Sequence, residues 1–288
     1  MKRLTLLVLP VMALLVACGP AAAAAPAPVT VAPTETSMLP TSLAPTQAPE
    51  PRSLTVFAAA SLTDAFKEIG NNFEAAHPGV TVNFNFAGSQ ILVTQITQGA
   101  LADVFASADH SHMDALVSAG LVRADTAKDF LTNQLVVILP QNNPANVQTL
   151  QDLARPGLKI VLGDVTVPAG NYARQVLDSM SKDPSYGADF KTKVLANVVS
   201  NETDVKQVVA KVQLGEADAG IVYISDGIAA PQLMTIAIPA NFNVIAKYPI
   251  APLIKAPQPQ LASEFIAYVL SPAGQAVLKK WGFTPVGP

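Results

Sequence analysis

The stretch Phe57-Ala58-Ala59-Ala60-Ser61-Leu62-Thr63-Asp64 decides the fold, because it joins a strand to a helix with almost no loop. Residues 54–57 are apolar and partly β-branched, which is typical of a buried strand, and apolar residues at helical spacing predict a helix over 64–76. The unpaired N–H groups and positive dipole end of such a helix converge at the rim of the sheet. We expect Ser61 to cap the helix, and the segment to form either an anion site or an ordinary capped helix.

Residues 1–18 have the features of a lipoprotein signal peptide. A short basic region precedes an apolar stretch, 4–16, that is too short to serve well as a permanent membrane-spanning helix. Leu15-Val16-Ala17-Cys18-Gly19 has the lipobox form, in which the cysteine is acylated and becomes the mature N-terminus. Cys18 is the only cysteine, so an intrachain disulfide is excluded. We therefore predict lipidation at Cys18, which anchors the protein to the cell membrane on its extracytoplasmic side, periplasmic or cell-surface.

Residues 19–52 differ in composition from the rest of the chain. They consist almost entirely of Ala, Pro, Thr and Ser, with few charges and no sustained apolar period. Such a segment buries too little apolar surface to offset the entropy lost on ordering. It is predicted to be a disordered, proline-stiffened tether that holds a folded domain away from the membrane.

Residues 53–288 form the predicted folded part, which is large for one core and suits two lobes. The net charge of −3 and the lack of a basic run argue against nucleic acid as a partner. Strand and helix patterns alternate, which predicts mostly parallel sheets flanked by helices. The main predicted strands are 54–57, 80–86, 104–107, 134–140, 159–163, 219–223 and 248–254. The main predicted helices are 64–76, 89–98, 111–119, 149–154, 172–180, 205–214, 262–270 and 274–281.

Four predicted helix starts share one sequence pattern. Each has small residues, hydroxyls or an acidic cap at the point where the first backbone N–H groups of the helix lack carbonyl partners. They are Ala60-Ser61, Gly88-Ser89, Pro168-Ala169-Gly170 and Asp204-Val205. Each helix start alone is compatible with an ordinary capped helix, but the sequence pattern that the four share favours a common ligand. The glycines at two of the starts would let a ligand approach the backbone closely. Tyr223 ends a buried strand, so its hydroxyl points either to a backbone carbonyl or into a cleft.

Signals for catalysis and metal binding are weak. The sequence lacks G-x-S-x-G, P-loop, H-E-x-x-H and G-x-G-x-x-G motifs. His110 and His112 lack a nearby third ligand and are interpreted as a solvated pair. Asp103, Asp109 and Asp114 are interpreted as capping and hinge groups rather than a metal cage. We therefore expect a protein that is not an enzyme and carries no cofactor or resident metal.

Several motifs, in order along residues 53–288, resemble those of the molybdate-binding component of ABC importers. They are Val56-Phe57-Ala58-Ala59-Ala60-Ser61-Leu62-Thr63, Ala102-Asp103-Val104-Phe105-Ala106-Ser107-Ala108-Asp109, Val167-Pro168-Ala169-Gly170-Asn171-Tyr172-Ala173, Gly220-Ile221-Val222-Tyr223-Ile224-Ser225-Asp226, and Gly274-Gln275-Ala276 through Trp281-Gly282-Phe283-Thr284. The resemblance implies an α/β fold of the type II periplasmic-binding-protein class, with two lobes joined by two crossing strands. The expected lobes are 53–132 with 241–288, and 133–240, with hinges near 132–134 and 238–248.

The resemblance also implies a ligand and its contacts. The ligand is molybdate or tungstate, held by the hydroxyls of Ser61 and Ser89, the backbone N–H groups of Ala169 and Val205, and the Tyr223 hydroxyl. Any bound metal is held only as this oxyanion. The implied partners are the permease and ATPase of an ABC importer, with the binding protein itself a monomer. Gly88-Ser89-Gln90 stands where the family often has a run of serines, so one hydroxyl donor is missing.

A pocket made only of donors would exclude phosphate, whose proton at neutral pH needs an acceptor. Separation of molybdate from sulfate would then rest on pocket size. Three alternatives remain open from the sequence. They are a receptor for sulfate or another oxyanion, a surface hydrolase with Ser61 as nucleophile, and a lipid-anchored structural domain.

Overall fold

The computed structural model of the protein describes residues 52–286. The signal peptide, the Cys18 lipidation site and the tether up to residue 51 lie outside the described residues. Arg52, which the sequence assigned to the tether, belongs to the first strand.

The described chain forms two mixed β-sheets flanked by helices. The strands are β1 (Arg52–Ala59), β2 (Val80–Ala87), β3 (Val104–Ala106), β4 (Lys128–Asn133), β5 (Leu135–Leu139), β6 (Ile160–Gly163), β7 (Val198–Glu202), β8 (Ala219–Tyr223), β9 (Met234–Ala237), β10 (Ala246–Pro252) and β11 (Thr284–Pro285). The helices are α1 (Thr63–Ala76), α2 (Ser89–Thr97), α3 (His110–Ser118), α4 (Pro168–Ser181), α5 (Phe190–Ala196), α6 (Val205–Gln213), α7 (Ile224–Ala229), α8 (Pro259–Leu270) and α9 (Pro272–Lys280). Short 3₁₀ helices span Ala60–Leu62, Ala124–Thr126 and Leu150–Ala154.

The two sheets define two lobes. The sheet of lobe 1 has the order β11-β4-β10-β3-β1-β2, and that of lobe 2 has the order β7-β6-β8-β5-β9. The chain passes from lobe 1 to lobe 2 between Asn133 and Leu135, and it returns between Ala237 and Ala246. This arrangement confirms the predicted two-lobed periplasmic-binding-protein fold. The lobe boundaries proposed from the sequence stay a prediction, because buried apolar residues of both sheets form one continuous cluster.

The sheets contain more antiparallel pairing than the sequence predicted. β1 runs parallel to β2 and β3, and β6 runs parallel to β7 and β8. The strands at or beside the crossings, β4, β5 and β10, make antiparallel pairs. The chain crosses between the lobes in the connections from β4 to β5 and from β9 to β10, which contain no helix. The directions of these strands are therefore not set by the helical crossover that makes consecutive strands of one sheet parallel.

The sequence missed several short or edge elements. β7 and β9 lie at the edge of their sheet and are half exposed, so they lack the continuous apolar run that marks a buried strand. α4 begins at Pro168, four residues before the predicted helix, because proline fits the first helical position, where no N–H partner is needed.

Helices α8 and α9 meet at a bend of 61° in lobe 1. Ser271 caps α9 by accepting a hydrogen bond from the N–H of Gly274. Phe265 and Leu278 are fully buried, and Phe265 packs edge-on against Phe66 of α1. Within residues 52–286 no single helix is long and apolar enough to cross a membrane, and this bent pair passes a test of length and composition only when its helices are combined.

Asp103 ties together two distant parts of lobe 1. It is 1% exposed, and its carboxylate accepts hydrogen bonds from the N–H groups of Thr55 at 2.8 Å and Gln258 at 2.6 Å. These bonds attach the start of β3 to β1 and to the entrance of α8. The interpretation of Asp103 as a structural polar group is therefore confirmed.

Replacing Asp103 with Ala is expected to lower the free energy of unfolding by about 2–4 kcal/mol, because two buried N–H groups lose their acceptor. Asp114→Ala is the control, since Asp114 is exposed on α3 and should change stability by less than about 0.5 kcal/mol. Urea unfolding followed by circular dichroism measures both. Equal stability of the two variants would contradict the assigned role of Asp103.

Candidate functional site

All four helix starts and the end of β8 line one small pocket between the lobes, with a cavity volume of about 10 Å³. Lobe 1 contributes Ala59, Ala60, Ser61, Gly88, Ser89 and Ala108, and lobe 2 contributes Val167, Pro168, Ala169, Val205 and Tyr223. The five residues predicted as ligand contacts are all in this lining, and none is more than 4% exposed. The structure thus brings the predicted positions together, while their binding of a ligand stays a prediction.

The pocket presents hydrogen-bond donors but no charged side chain. Among the described residues, its lining contains no ionisable group except the Tyr223 phenol. Burial raises the pKa of Tyr223 well above its usual value, with a further contribution from Tyr248, so the phenol stays protonated. The starts of α2, α4 and α6 add first-turn N–H groups that have no carbonyl partner within their own helices. The pocket is suited to an anion that needs several donors.

Ser61 does not cap α1, so that part of the sequence prediction is wrong. A 3₁₀ turn, Ala60–Leu62, separates the end of β1 from α1, and the N-cap position falls on Leu62, which makes no side-chain capping bond. The Ser61 Oγ instead lies 3.0 Å from the Tyr248 Oη. The serine hydroxyl is therefore available at the pocket rather than used by the helix.

Ser89 is held by the backbone of a neighbouring segment. It is the first residue of α2, and its Oγ accepts a hydrogen bond from the N–H of Ala108 at 3.1 Å. An N–H can only donate, so the serine oxygen is an acceptor in this bond and its own proton stays free. Ser89 is consequently set up to donate into the pocket.

The Tyr223 hydroxyl is buried and has no hydrogen-bond partner among the described residues. Its ring packs edge-on against Tyr248, with centroids 5.7 Å apart, and its N–H donates to the Asp226 carboxylate at 3.3 Å. A buried hydroxyl left unpaired costs about 1–3 kcal/mol. Within the described residues, the Tyr223 hydroxyl is therefore available as a donor at the pocket.

The lobe 2 helix starts are shaped by local sequence. Asp204 caps α6 by accepting from the N–H of Gln207 at 3.1 Å, as its acidic character predicts. A side chain at Gly170 would overlap the carbonyl oxygens of Gly163 and Asp164, so glycine is needed for α4 to start against the end of β6. The space beside Gly170 is thus filled by protein backbone, which corrects the expectation that this glycine serves ligand approach.

Gly88 marks a close contact between the lobes. A side chain there would overlap the Thr203 carbonyl oxygen of lobe 2, and the Gln90 Nε2 donates to that same oxygen at 2.7 Å. The space on the Cβ side of Gly88 is thus filled by the Gln90 side chain and the opposite lobe. Gly88 itself is part of the pocket lining, and close approach of a ligand to its backbone stays a prediction.

An ion-pair cluster joins the lobes beside the pocket. The Lys206 ammonium lies 2.7 Å from the Asp64 carboxylate of lobe 1 and 3.2 Å from that of Asp226 in lobe 2. Burial raises the pKa of the Asp226 carboxyl to about 6, against the opposing effect of Lys206. Burial would lower the pKa of Lys206, but Asp226 and Asp64 outweigh it and hold that pKa above its usual value. The cluster therefore favours the closed arrangement of the lobes.

The remaining polar residues singled out in the sequence have structural roles. Asp109 caps α3, accepting from the N–H of His112 at 3.0 Å, and its carboxylate also lies 2.7 Å from the His112 Nδ1. The His110 Nε2 lies 2.7 Å from the Asp129 carboxylate. The two histidines are thus paired with carboxylates rather than simply solvated, because the neighbouring loop and β4 bring acidic groups to them.

A two-lobed α/β protein with a small donor-lined pocket between its lobes has the architecture of a solute-binding protein. The chain belongs to the family described as "Bacterial extracellular solute-binding protein", which it matches over residues 54–284. It is 43% identical over 233 residues to the molybdate-binding protein ModA of Mycobacterium tuberculosis H37Rv, covering 81% of this chain and 84% of that protein. The predicted resemblance to molybdate-binding components of ABC importers is thereby confirmed.

Solved structures show the same fold. The Azotobacter vinelandii periplasmic molybdate-binding protein gives a TM-score of 0.71 at 21% identity, covering 82% of this chain and 99% of that chain. The sulfate-binding protein SubI from Mycobacterium tuberculosis H37Rv gives a TM-score of 0.75 at 19% identity, covering 82% of this chain and 88% of that chain. At these identities the likeness concerns the fold alone, so the choice of ligand depends on the pocket.

Replacing Gly88 with Ala is expected to weaken binding of molybdate, the oxyanion implied by the sequence resemblance, by at least about tenfold. The Gly88 backbone, at φ −59° and ψ 141°, suits alanine. The added methyl therefore meets the Thr203 carbonyl oxygen and the end of the Gln90 side chain, and of these two the flexible Gln90 side chain can move away. Isothermal titration calorimetry measures the affinity, and the melting temperature of the ligand-free protein should stay unchanged.

Gln90→Ala is the matched control for this variant, because it removes the hydrogen bond to Thr203 without adding an obstacle. Its effect on affinity should be smaller than that of Gly88→Ala. Wild-type affinity in Gly88→Ala would show that the contact between Gly88 and Thr203 is not part of the ligand-bound form.

Proposed function

We propose that this protein captures molybdate, and tungstate of nearly the same size, outside the cytoplasm and delivers it to an ABC importer. The observation that carries the proposal is the buried pocket lined by hydroxyl and N–H donors without a charged side chain, in which the Tyr223 hydroxyl lacks a partner. The molybdate-binding name of the 43% identical relative supports the choice of oxyanion.

Hydrogen bonds alone can hold a dianion in such a pocket. Ser61, Ser89 and Tyr223 supply hydroxyls, and Ala169 and Val205 supply N–H groups at helix starts. Each hydrogen bond to a charged group contributes roughly 1.5–3 kcal/mol, and the helix dipoles add to this. Five such bonds together offset the loss of the ligand's hydration.

The same donors account for selectivity. Molybdate, tungstate and sulfate are fully deprotonated at neutral pH, whereas phosphate retains a proton that needs an acceptor. A pocket whose serines are turned to donate offers no such acceptor. Size then separates molybdate from sulfate, because Mo–O and W–O bonds are longer than S–O bonds.

Transport requires partners beyond this chain. Each lobe supplies only part of the donor set, so binding is expected to accompany lobe closure about the two crossings near residues 132–134 and 238–248. The closed monomer would dock on a membrane permease driven by an ATPase. Lipidation at Cys18 and the tether would keep the binding domain close to that permease.

Calorimetry of residues 53–288 with molybdate, tungstate, sulfate and phosphate tests the function. We expect one tightly bound molybdate or tungstate per chain, weak sulfate and still weaker phosphate. Sulfate as tight as molybdate would favour the alternative oxyanion receptor. Failure to bind any of the four would reject the proposal and leave a hydrolase or a structural domain, which a turnover assay on ester and phosphoester substrates separates.

Ser61→Ala and Tyr223→Phe are each expected to weaken molybdate binding by about ten- to a hundredfold, through loss of one hydrogen bond to a charged group. Tyr223→Phe should not lower the stability of the ligand-free protein, because it removes an unpaired buried hydroxyl. Ser263→Ala and Tyr268→Phe on α8 are matched controls outside the pocket lining. Unchanged affinity in both pocket variants would exclude the two residues from the site.

A further inference from the structure

We propose that Tyr248 is a positioning residue that fixes Ser61 as a hydrogen-bond donor and thereby contributes to anion selectivity. This inference rests on the proposed function. Tyr248 lies on β10 behind the pocket and is not part of its lining. Its hydroxyl is 3.0 Å from the Ser61 Oγ, and both groups are buried. No signal near Tyr248 in the sequence indicates this contact, because 187 residues separate the two.

The position of the Tyr248 hydroxyl is set by packing. The side chain is fully buried, and its ring packs edge-on against Phe130, Tyr223 and Phe283, with centroid distances of 6.4, 5.7 and 5.9 Å. Aromatic neighbours on three sides leave little freedom for the ring to turn. The phenol oxygen is consequently held at a fixed point beside Ser61.

The direction of the bond follows from counting protons. Each hydroxyl has one proton, so a Ser61 that donates to Tyr248 has none left for the ligand. An anion in the pocket requires Ser61 to donate to it, and this leaves Tyr248 as the donor to Ser61. Burial raises the pKa of Tyr248 well above its usual value, so the phenol retains the proton that this role needs.

Ser89 shows the same arrangement with a different donor. The Ala108 N–H lies behind Ser89 as the Tyr248 hydroxyl lies behind Ser61. The Ala108 N–H can only donate a hydrogen bond, whereas the Tyr248 hydroxyl can either donate or accept one. Without the Tyr248 hydroxyl, the Ser61 hydroxyl would no longer be held with its proton towards the pocket, and it could rotate to accept the proton of hydrogen phosphate. The phenol thus makes Ser61 selective for anions that carry no proton.

Tyr248→Phe tests this role, because it keeps the ring and removes only the hydroxyl. We expect molybdate affinity to fall about two- to tenfold, the effect of one neutral hydrogen bond, and phosphate to lose less affinity or to gain some. The ratio of molybdate to phosphate affinity, measured by calorimetry at pH 7, should therefore fall. Tyr268→Phe is the control and should leave the ratio unchanged.

A double-mutant cycle separates positioning from a purely structural role. If Tyr248 acts through Ser61, adding Tyr248→Phe to Ser61→Ala should change molybdate affinity less than twofold. Equal weakening of all anions, in the Ser61→Ala background as well, would overturn the proposal in favour of a structural role. Wild-type affinities in Tyr248→Phe would also overturn it. Failure of the wild-type protein to bind molybdate would instead reject the proposed function itself.

Discussion

Buried N–H and O–H groups must find acceptors, and this requirement governs the arrangement of both lobes. Three long helices and one 3₁₀ turn begin at the same pocket, and each start exposes N–H groups that no helix carbonyl can reach. Placing all of them at one buried point is unfavourable unless something there accepts their hydrogen bonds. The arrangement therefore supports the proposed function, in which a bound anion accepts these hydrogen bonds.

The contacts between the lobes are polar on one side of this pocket and aromatic on the other. Lys206 and the Gln90–Thr203 bond join the lobes near α6, while Tyr223 and Tyr248 pack together beneath the pocket floor. The Lys206–Asp64 ion pair is partly exposed and the Gln90–Thr203 bond is exposed, so water can replace both contacts and they favour the closed form only modestly. The aromatic contact joins Tyr223 at the end of β8 to Tyr248 on β10, the strand that follows the second crossing. The proposed lobe closure could therefore keep the aromatic contact while the polar contacts near α6 form and break.

Local patterns were sufficient to predict the starts of α2 and α6 and to single out five residues that line the pocket. They did not predict the early start of α4 or the pocket position of Ala108. The small residues at 58–60, the Gly88-Ser89 pair and the cap at Asp204 each set the backbone within a few residues. The contacts behind these residues could not be predicted, since Ser89 meets Ala108 and Ser61 meets Tyr248 through the assembled sheet of lobe 1. The inserted 3₁₀ turn, which removes Ser61 from the cap position, also depends on tertiary packing.

The unpaired Tyr223 hydroxyl has a consequence for the empty protein. A closed cleft without ligand retains this donor and several N–H groups unsatisfied, and each such group costs about 1–3 kcal/mol. Under the proposed function, the ligand-free population is therefore expected to shift towards open conformations in which water solvates these groups. The ligand-bound protein would then differ in shape from the ligand-free protein. An importer that recognises only the closed form would hydrolyse no ATP on the ligand-free protein.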